Sequence, residues 1–174
     1  MFMPRFSSFS TALLAAIAIC IAPACQADDT DDFHVMKNEA VGALKIDMPA
    51  LQVKAQIAEM PTMGPKRLWG ADGMMHQMWK YPKLGLEIDM TSENKNAAQT
   101  ISAITVKAPS ILQTRHGIHV GSRESEVMKA YKGEISKEES KPGQTIVAGS
   151  LYGGVVITIE KGVVSTIFLG AAAE

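Results

Sequence analysis

Apolar and polar residues alternate along the chain in short segments that glycine and proline separate. In residues 44–46, and again in residues 118–120, two apolar side chains flank one polar residue. A period of two is the pattern of a half-buried strand. Val53 and Ile57 then have the four-residue spacing that places side chains on one helix face, and the same spacing recurs 74 residues later. The pattern therefore predicts a strand followed by a helix at both places.

Three further strands are predicted after each helix. They span residues 76–81, 85–90 and 101–106 in the first half of the chain, and 145–151, 154–159 and 164–169 in the second half. The last two strands of each set are predicted to form a hairpin. In the second hairpin, Glu160, Lys161 and Gly162 make a tight turn in which glycine supplies a positive φ. In the first hairpin, the polar loop 91–100 takes the place of that turn.

This order of elements predicts an α+β fold of two tandem units, each a helix packed on a small antiparallel sheet. The first unit spans residues 41–108 and the second spans residues 109–174, after an N-terminal segment at 28–40. Asp47 and Ser122 are the predicted helix N-caps, because a short side-chain oxygen can accept from the free N–H groups of a first turn. One helix covers only one face of a sheet, so the opposite face is expected to stay open.

The N-terminus has the zones of an export signal. Arg5 precedes an apolar run at residues 11–22, which is shorter than the roughly 20 apolar residues that a membrane-spanning helix needs. Small side chains at Cys25 and Ala27 precede an acidic run, so we expect cleavage after Ala27. Residues 1–27 are thus a predicted signal peptide, and the mature chain is predicted to be periplasmic. Secretion, or a lipid anchor on Cys25, are the alternatives.

Composition narrows the classes of function. Both cysteines, Cys20 and Cys25, lie in the predicted signal, so the mature chain is expected to have no disulfide, thiol nucleophile or thiolate metal site. The whole chain has 17 basic and 18 acidic residues, which gives no basic excess to hold a nucleic acid. Outside the signal no apolar run reaches 18 residues, so no membrane span is predicted in the mature chain.

Three stretches carry a family resemblance. They are the glycine-bounded segment and helix at residues 117–131, the strand, glycine turn and valine-rich strand at 155–165, and the aromatic strand at 79–81. This pattern resembles the tandem β-lactamase-inhibitor-protein-like proteins of the bacterial envelope, and is similar to single-unit envelope lipoproteins of the SmpA/OmlA type. The predicted mature chain departs from the inhibitors, whose units are joined by disulfides, because both cysteines of the sequence lie in the predicted signal. The resemblance implies a non-catalytic protein-binding module with a concave sheet face.

The predicted binding surface combines the open sheet face with an insertion-like loop, residues 60–73. A tryptophan and an arginine in a glycine-proline loop are the composition of a binding hot spot, although Trp69 could instead fold back over the sheet edge. Trp79 and Tyr81 share one face of a strand, and they are either core residues or an aromatic stripe on the open face. The predicted partner is another envelope protein of unknown identity. The predicted partner-binding residues are Lys66, Arg67, Trp69, Trp79, Tyr81 and Tyr152.

An alternative reading is a small-ligand or copper-binding protein. Met74, His76 and Met78 would share one face of a strand, and thioether and imidazole ligands suit Cu(I). The same three residues also describe a plain strand with methionines in an irregular core. No paired acid, base and nucleophile emerges, because the SxxK match at residues 92–95 lacks its partner motifs. The sequence therefore predicts no catalytic residue, no enzyme activity and no cofactor.

Overall fold

A computed structural model describes residues 33–172, so the predicted signal peptide lies outside the described residues. In this described part of the chain, eight strands form one antiparallel sheet in the order β1-β3-β4-β5-β8-β7-β6, and β2 pairs with β3 beside β1. The strands are β1 (Thr62–Met63), β2 (Arg67–Leu68), β3 (Met75–Tyr81), β4 (Leu86–Ser92), β5 (Thr100–Lys107), β6 (Thr145–Ser150), β7 (Gly153–Glu160) and β8 (Val163–Gly170).

Within residues 33–172, three short helices accompany the sheet. They are α1 (His34–Asn38), α2 (Ala50–Gln56) and α3 (Glu124–Ala130), and a 3-10 turn at Pro82–Leu84 joins β3 to β4. Each helix buries one valine, Val35, Val53 or Val127, in a single apolar core shared with one face of the sheet. Among residues 33–172, no helix combines the length and the apolar character needed to cross a bilayer.

The predicted fold of two tandem units, each a helix on its own small sheet, is wrong. The strands at the end of each half, β5 and β8, pair with each other from Ile104 opposite Leu169 to Lys107 opposite Thr166. All the strands therefore belong to one sheet, and the buried side chains of both halves form one core. A three-stranded sheet leaves two unpaired edges, and pairing β5 with β8 satisfies one edge from each half.

The segments before α2 and α3 also differ from expectation. Residues 44–46 and 118–120 form turns and isolated contacts and not strands. Asp47 has a left-handed φ of 64° and does not cap α2, whose N-cap is Pro49. The N-cap of α3 is Arg123 and not Ser122. The backbone N–H of Arg123 donates to the Glu126 carboxylate at 2.6 Å, and this hydrogen bond stabilises the start of α3.

The two faces of the sheet differ in what covers them. The inner face carries the core, to which every long strand contributes alternate apolar side chains. Trp79 and Tyr81 belong to this face, with 1% and 0% exposure, and the Lys54 ammonium of α2 lies 5.2 Å from the Trp79 ring centre. The structure therefore removes Trp79 and Tyr81 from the predicted partner-binding set. No described helix lies on the outer face. The part of that face formed by β3, β4 and β5 carries the side chains of His76, Met78, Lys80, Glu87, Asp89 and Lys107.

The hairpin strands lie where the sequence predicts them. The turn between β7 and β8 has positive φ at both Lys161 and Gly162, 53° and 78°, which is the backbone of a two-residue hairpin turn. A bulge interrupts the register of each hairpin, at Asp89/Met90 in β4–β5 and at Thr158/Ile159 in β7–β8. The first of these bulges positions part of the site described next.

Candidate functional site

Residues 60–73, which the sequence predicts to be a loop, form in large part an interrupted edge of the sheet. We call these residues the edge segment. β1 pairs with Trp79 and Lys80 of β3, and β2 pairs with Met75 and His76. Between them, the Gly64 N–H donates to the carbonyl of Met78 at 2.8 Å. The chain then turns back through Trp69, whose N–H donates to the Met74 carbonyl at 2.9 Å. Backbone pairing thus holds this segment beside the outer face of β3.

His76 is the centre of a polar network on the outer face. Its Nδ1 lies 2.6 Å from Oδ2 of Asp89 on β4, and its Nε2 lies 2.8 Å from Oδ2 of Asp72 in the turn after β2. The Ser102 hydroxyl on β5 donates to the same Asp89 oxygen at 3.1 Å. The network therefore joins three strands of the sheet to the tip of the edge segment.

Local backbone features aim these side chains. The Asp72 carboxylate is oriented by the backbone N–H of Met74, which donates to its other oxygen, Oδ1, at 2.9 Å. Ser102 is the extra residue at the β4–β5 bulge, because Asp89 pairs with Ala103 and Met90 pairs with Ile101. A bulge lets a strand re-aim one side chain, and here it directs the serine hydroxyl to Asp89.

The electrostatics favour a protonated imidazole. Burial alone disfavours the charged ring, but hydrogen bonds to Asp72 and Asp89 outweigh it and raise the pKa of His76 above its ordinary value. The backbone N–H of Met74, followed by His76, lowers the pKa of Asp72. A neutral imidazole has only one N–H, so it would turn a lone pair toward one of the two carboxylates. The imidazolium form donates to both.

A pocket opens between the edge segment and the outer face. It has a volume of about 380 Å³ and is lined by Gly64, Pro65, Arg67, Leu68, Trp69, His76, Met78 and Asp89. Trp69 forms its wall, with its ring edge-on to the His76 ring at a centroid distance of 4.4 Å. A neighbouring hollow of about 260 Å³ shares Trp69 and extends across the sheet to Phe168.

Five exposed apolar side chains lie on residues 60–69 and on β3, and three of them, Leu68, Trp69 and Met78, line this pocket. We call them the edge patch, and they are Met60, Met63, Leu68, Trp69 and Met78. Leu68 is 69% exposed and Trp69 is 46% exposed. Large apolar residues on a fixed backbone next to a concave site are the composition expected of an interaction surface.

Three of the predicted partner-binding residues lie at this site. Lys66 donates from Nζ to the Lys95 carbonyl at 2.6 Å, and Arg67 lines the pocket opposite His76 in the β2–β3 register. Trp69 lines it as well. Tyr152 is 60% exposed, but it lies in the turn between β6 and β7, at the opposite edge of the sheet. The structure therefore does not bring Tyr152 together with the others.

The structure does not arrange the side chains of Met74, His76 and Met78 as a copper site. His76 and Met78 share the outer face of β3, whereas Met74 precedes the strand. Both ring nitrogens of His76 already face carboxylates, so a metal would have to displace one of them. Within residues 33–172, no group of three or more histidine, cysteine, aspartate or glutamate side chains is arranged to hold a metal ion.

Sequence reasoning missed Asp72, Asp89 and Ser102. One signal was available for Asp89, because it lies on the polar face of the strand predicted to pair with that of His76. No signal in the pattern pointed to Ser102, since its position depends on the bulge.

A second polar cluster lies on the inner side. The Glu39 carboxylate, 1% exposed, accepts hydrogen bonds from the Tyr131 hydroxyl at 2.7 Å and from the backbone N–H groups of Ala40 and Arg115, and it lies 2.6 Å from Nδ1 of His116. Burial raises the pKa of Tyr131, which keeps its hydroxyl a donor. These partners all belong to the chain itself, so the cluster anchors the segment that follows α1.

Compared with known proteins, the chain matches no family model, no curated protein and no solved structure. The resemblance to β-lactamase-inhibitor-protein-like and SmpA/OmlA-like proteins therefore stays a prediction.

Proposed function

We propose that the protein is a non-catalytic, exported binding module that docks another envelope protein through the edge patch and the adjoining open face. The observation that carries the proposal is the way Trp69 is presented. It is half exposed, and its ring rests against an imidazole that two carboxylates hold in place.

Such fixation favours binding. Ordering a flexible side chain at an interface costs about 0.5–1.5 kcal/mol. Trp69 is already positioned by His76 and by the backbone hydrogen bond to Met74 before any partner arrives. Tryptophan and arginine are also the residues most enriched in binding hot spots, and Arg67 lies two positions away on the same pocket.

The network favours binding over catalysis. A serine nucleophile needs a base within hydrogen-bond reach. Ser102 does contact a base, the Asp89 carboxylate, but the same carboxylate oxygen is hydrogen-bonded to His76, and both nitrogens of His76 are engaged by carboxylates. No imidazole is therefore free to take the serine proton, and we interpret the network as a support that holds residues 60–73 in place.

Site-specific photo-crosslinking in intact cells tests the proposal. A photoreactive residue at Leu68 is expected to capture one discrete partner, because this side chain is 69% exposed in the edge patch. The same residue at Ile111, which is 89% exposed in the connection between β5 and α3, is the matched control and is expected to capture none. Trp69→Ala is expected to abolish the Leu68 crosslink, and Tyr152→Ala is expected to leave it unchanged.

The captured partner is then purified and titrated against the wild type and Trp69→Ala. A hot-spot tryptophan is worth about 2 kcal/mol or more, so affinity is expected to fall at least about 30-fold. Equal crosslinking from both positions, or a titration in which Trp69→Ala binds as the wild type does, would overturn the proposal.

A further inference from the structure

A single imidazole joins the turn between β2 and β3 to the neighbouring strand of the sheet. The turn spans residues 69–74, and its Asp72 carboxylate lies 2.8 Å from Nε2 of His76. The other ring nitrogen, Nδ1, lies 2.6 Å from the carboxylate of Asp89 on β4. The ring therefore lies between two carboxylates, one on an exposed turn and one on the sheet.

The charge of the ring decides how many of these contacts it can make. An imidazolium carries an N–H on both nitrogens, whereas a neutral imidazole has one N–H and one lone pair. Both nitrogen–oxygen distances are those of hydrogen bonds, so the observed arrangement suits the imidazolium. Loss of the proton to solvent replaces one of the two attractions with a repulsion between a lone pair and a carboxylate.

Asp72 is the contact that this repulsion breaks. The Asp89 side chain is 14% exposed and also accepts from the Ser102 hydroxyl at 3.1 Å, so it is held on the sheet. The Asp72 side chain is 45% exposed and can turn into water. The neutral ring is therefore expected to keep its N–H on Nδ1, toward Asp89, and to turn the Nε2 lone pair toward Asp72.

The turn has room to move away from the ring. Residues 69–73 are exposed, and a Cβ added at Gly70 or at Gly73 would meet nothing within 4 Å. Such open surroundings are typical of segments that open locally at a small free-energy cost. The contact between Asp72 and His76 therefore helps to decide where the turn lies.

Trp69 belongs to this turn and rests on the same imidazole. Its N–H donates to the Met74 carbonyl at 2.9 Å, and its carbonyl accepts from the Gly73 N–H at 3.0 Å. Its ring lies against the His76 ring, with 4.4 Å between the ring centres. A shift of Asp72 away from the imidazole is therefore transmitted through the backbone of the turn to the indole ring.

Other charged groups around His76 act in both directions. Arg67, opposite His76 in the β2–β3 register, disfavours protonation. Glu87, which lines the same hollow, favours it, but the ammonium groups of Lys107 at 2.8 Å and Lys80 at 3.7 Å already pair with this carboxylate. Burial lowers the pKa of His76, but the two carboxylates in direct contact outweigh it and raise the pKa above 6.5.

We propose that His76 is a proton-operated latch: the protonated ring holds Asp72 and the turn that carries Trp69, and loss of the proton releases them. The latch is closed while the ring is protonated and opens as the pH rises through the midpoint at which His76 titrates. The latch itself needs no partner. Its consequence for docking rests on the proposed function: release removes the ordering of Trp69, and partner affinity is expected to fall about two- to tenfold.

Fluorine NMR of the full mature chain labelled with fluorotryptophan measures the latch without any partner. The chain has two tryptophans, and the change in fluorine shift between light and heavy water reports how much solvent reaches each ring. We expect this solvent isotope shift to rise for Trp69 across the pH interval in which the His76 imidazole titrates. Trp79, which is 1% exposed, is the internal control and should keep a small, constant isotope shift.

Variants separate release of the turn from a direct effect of the ring charge. In Asp72→Asn, the amide can accept from the imidazolium and donate to the neutral ring. Trp69 should then keep the isotope shift of the closed latch at every pH, although His76 still titrates. His76→Gln is expected to remove the pH dependence. His119→Gln replaces a ring whose Nδ1 lies 2.9 Å from the Val120 carbonyl oxygen, and it should behave as the wild type does.

Three outcomes would overturn the latch, each measured where circular dichroism shows the protein to be folded. They are a Trp69 isotope shift that stays constant while His76 titrates in the wild type, one that changes in His76→Gln as in the wild type, and one that changes in Asp72→Asn as in the wild type. Failure to crosslink a partner leaves these measurements unaffected, so the latch and the proposed function can fail separately.

Discussion

The two hairpins of the sheet, β4–β5 and β7–β8, share a backbone plan and differ in chemistry. Each has a bulge, and in each the extra residue is a serine, Ser102 or Ser165. Ser102 donates to the Asp89 carboxylate at 3.1 Å, whereas Ser165 reaches only the Thr158 carbonyl at 3.4 Å. The same bulge is thus part of a charged network in one hairpin and a plain irregularity in the other.

The strands beside the hairpins extend this difference. β3 supplies His76 and carries the interrupted edge formed by β1 and β2. β6 is flanked by the chain after α3, where the Ser136 N–H donates to the Val147 carbonyl at 2.9 Å. One half of the sheet therefore ends in the proposed binding surface and the other ends in backbone packing. The comparison teaches that side chains at a few outer-face positions distinguish two halves that share one backbone plan.

The largest expected effect compares two glycines with positive φ: Gly85, which directly precedes β4, and Gly162, which lies in the turn between β7 and β8. A Cβ at Gly85 would lie 2.0 Å from the Lys107 carbonyl oxygen, whereas a Cβ at Gly162 meets nothing within 4 Å. Gly85→Ala is expected to lower the free energy of unfolding by at least about 3 kcal/mol, and Gly162→Ala by about 1 kcal/mol. Urea denaturation measures both. Equal losses would contradict the crowding at Gly85.

The next effect concerns the charge in the first hairpin. Asp89→Asn removes the charged acceptor shared by His76 and Ser102, and is expected to cost about 2 kcal/mol. Glu160→Gln, at the exposed end of β7, is the matched control and is expected to change stability by less than about 0.5 kcal/mol. If the Asn variant were as stable as the control, the network would contribute nothing to the fold.

A smaller effect separates the two serines. Ser102→Ala is expected to cost about 1 kcal/mol because it leaves Asp89 with one donor fewer. Ser165→Ala loses a long contact to a carbonyl, and a change within about 0.5 kcal/mol is expected. Urea unfolding of the two variants side by side provides the measurement, and a larger loss at Ser165 would reverse the comparison.

The smallest effect is the pH dependence that His76 and Asp72 contribute in the first half. Because the folded pKa of His76 is raised, its contribution to stability is fully present below the unfolded value of 6.5 and is lost as the pH rises through the folded pKa. The lowered pKa of Asp72 acts in the opposite sense: its contribution is present above 3.8 and is lost as the pH falls through the folded pKa.

Imidazole NMR titration of the wild type, with Asp72→Asn and Asp89→Asn for comparison, checks this expectation. His76 should titrate above its ordinary pKa in the wild type and at lower pH in either variant. A wild-type His76 that titrates below 6.5 would show that burial outweighs the two carboxylates. The stability profile of His76→Gln against pH should be flatter than that of the wild type.

The positions of the six long strands, β3 to β8, could be predicted from the sequence because the alternation of apolar residues indicates which face is buried, whereas the same pattern at residues 44–46 and 118–120 does not form strands. Residues 76–81 and 154–159 fall within β3 and β7 for this reason. The pairing of β5 with β8 could not be predicted, since edge pairing depends on backbone groups that every residue carries. The prediction of separate sheets for residues 41–108 and 109–174 is wrong because this pairing joins the two halves in one sheet.

The site was predicted in part. A tryptophan and an arginine in a glycine-proline segment marked the edge patch, and Arg67 and Trp69 do line its pocket. For Trp79 and Tyr81 the sequence left the core and the open face as alternatives, because a period of two identifies a shared face and not which side the helices cover; their burial shows that the core alternative holds and that their place among the partner-binding residues was wrong. The His76 network needed the register of three strands and a bulge, which are tertiary properties.

The break between β1 and β2 has one further consequence. Each of these edge strands is only two residues long, and Pro65, which has no N–H to offer, lies between them with Lys66. A continuous row of free backbone groups is what allows a sheet in one molecule to grow into the next, as in a fibril. The break between β1 and β2 therefore also disfavours aggregation by strand pairing along this edge of the sheet.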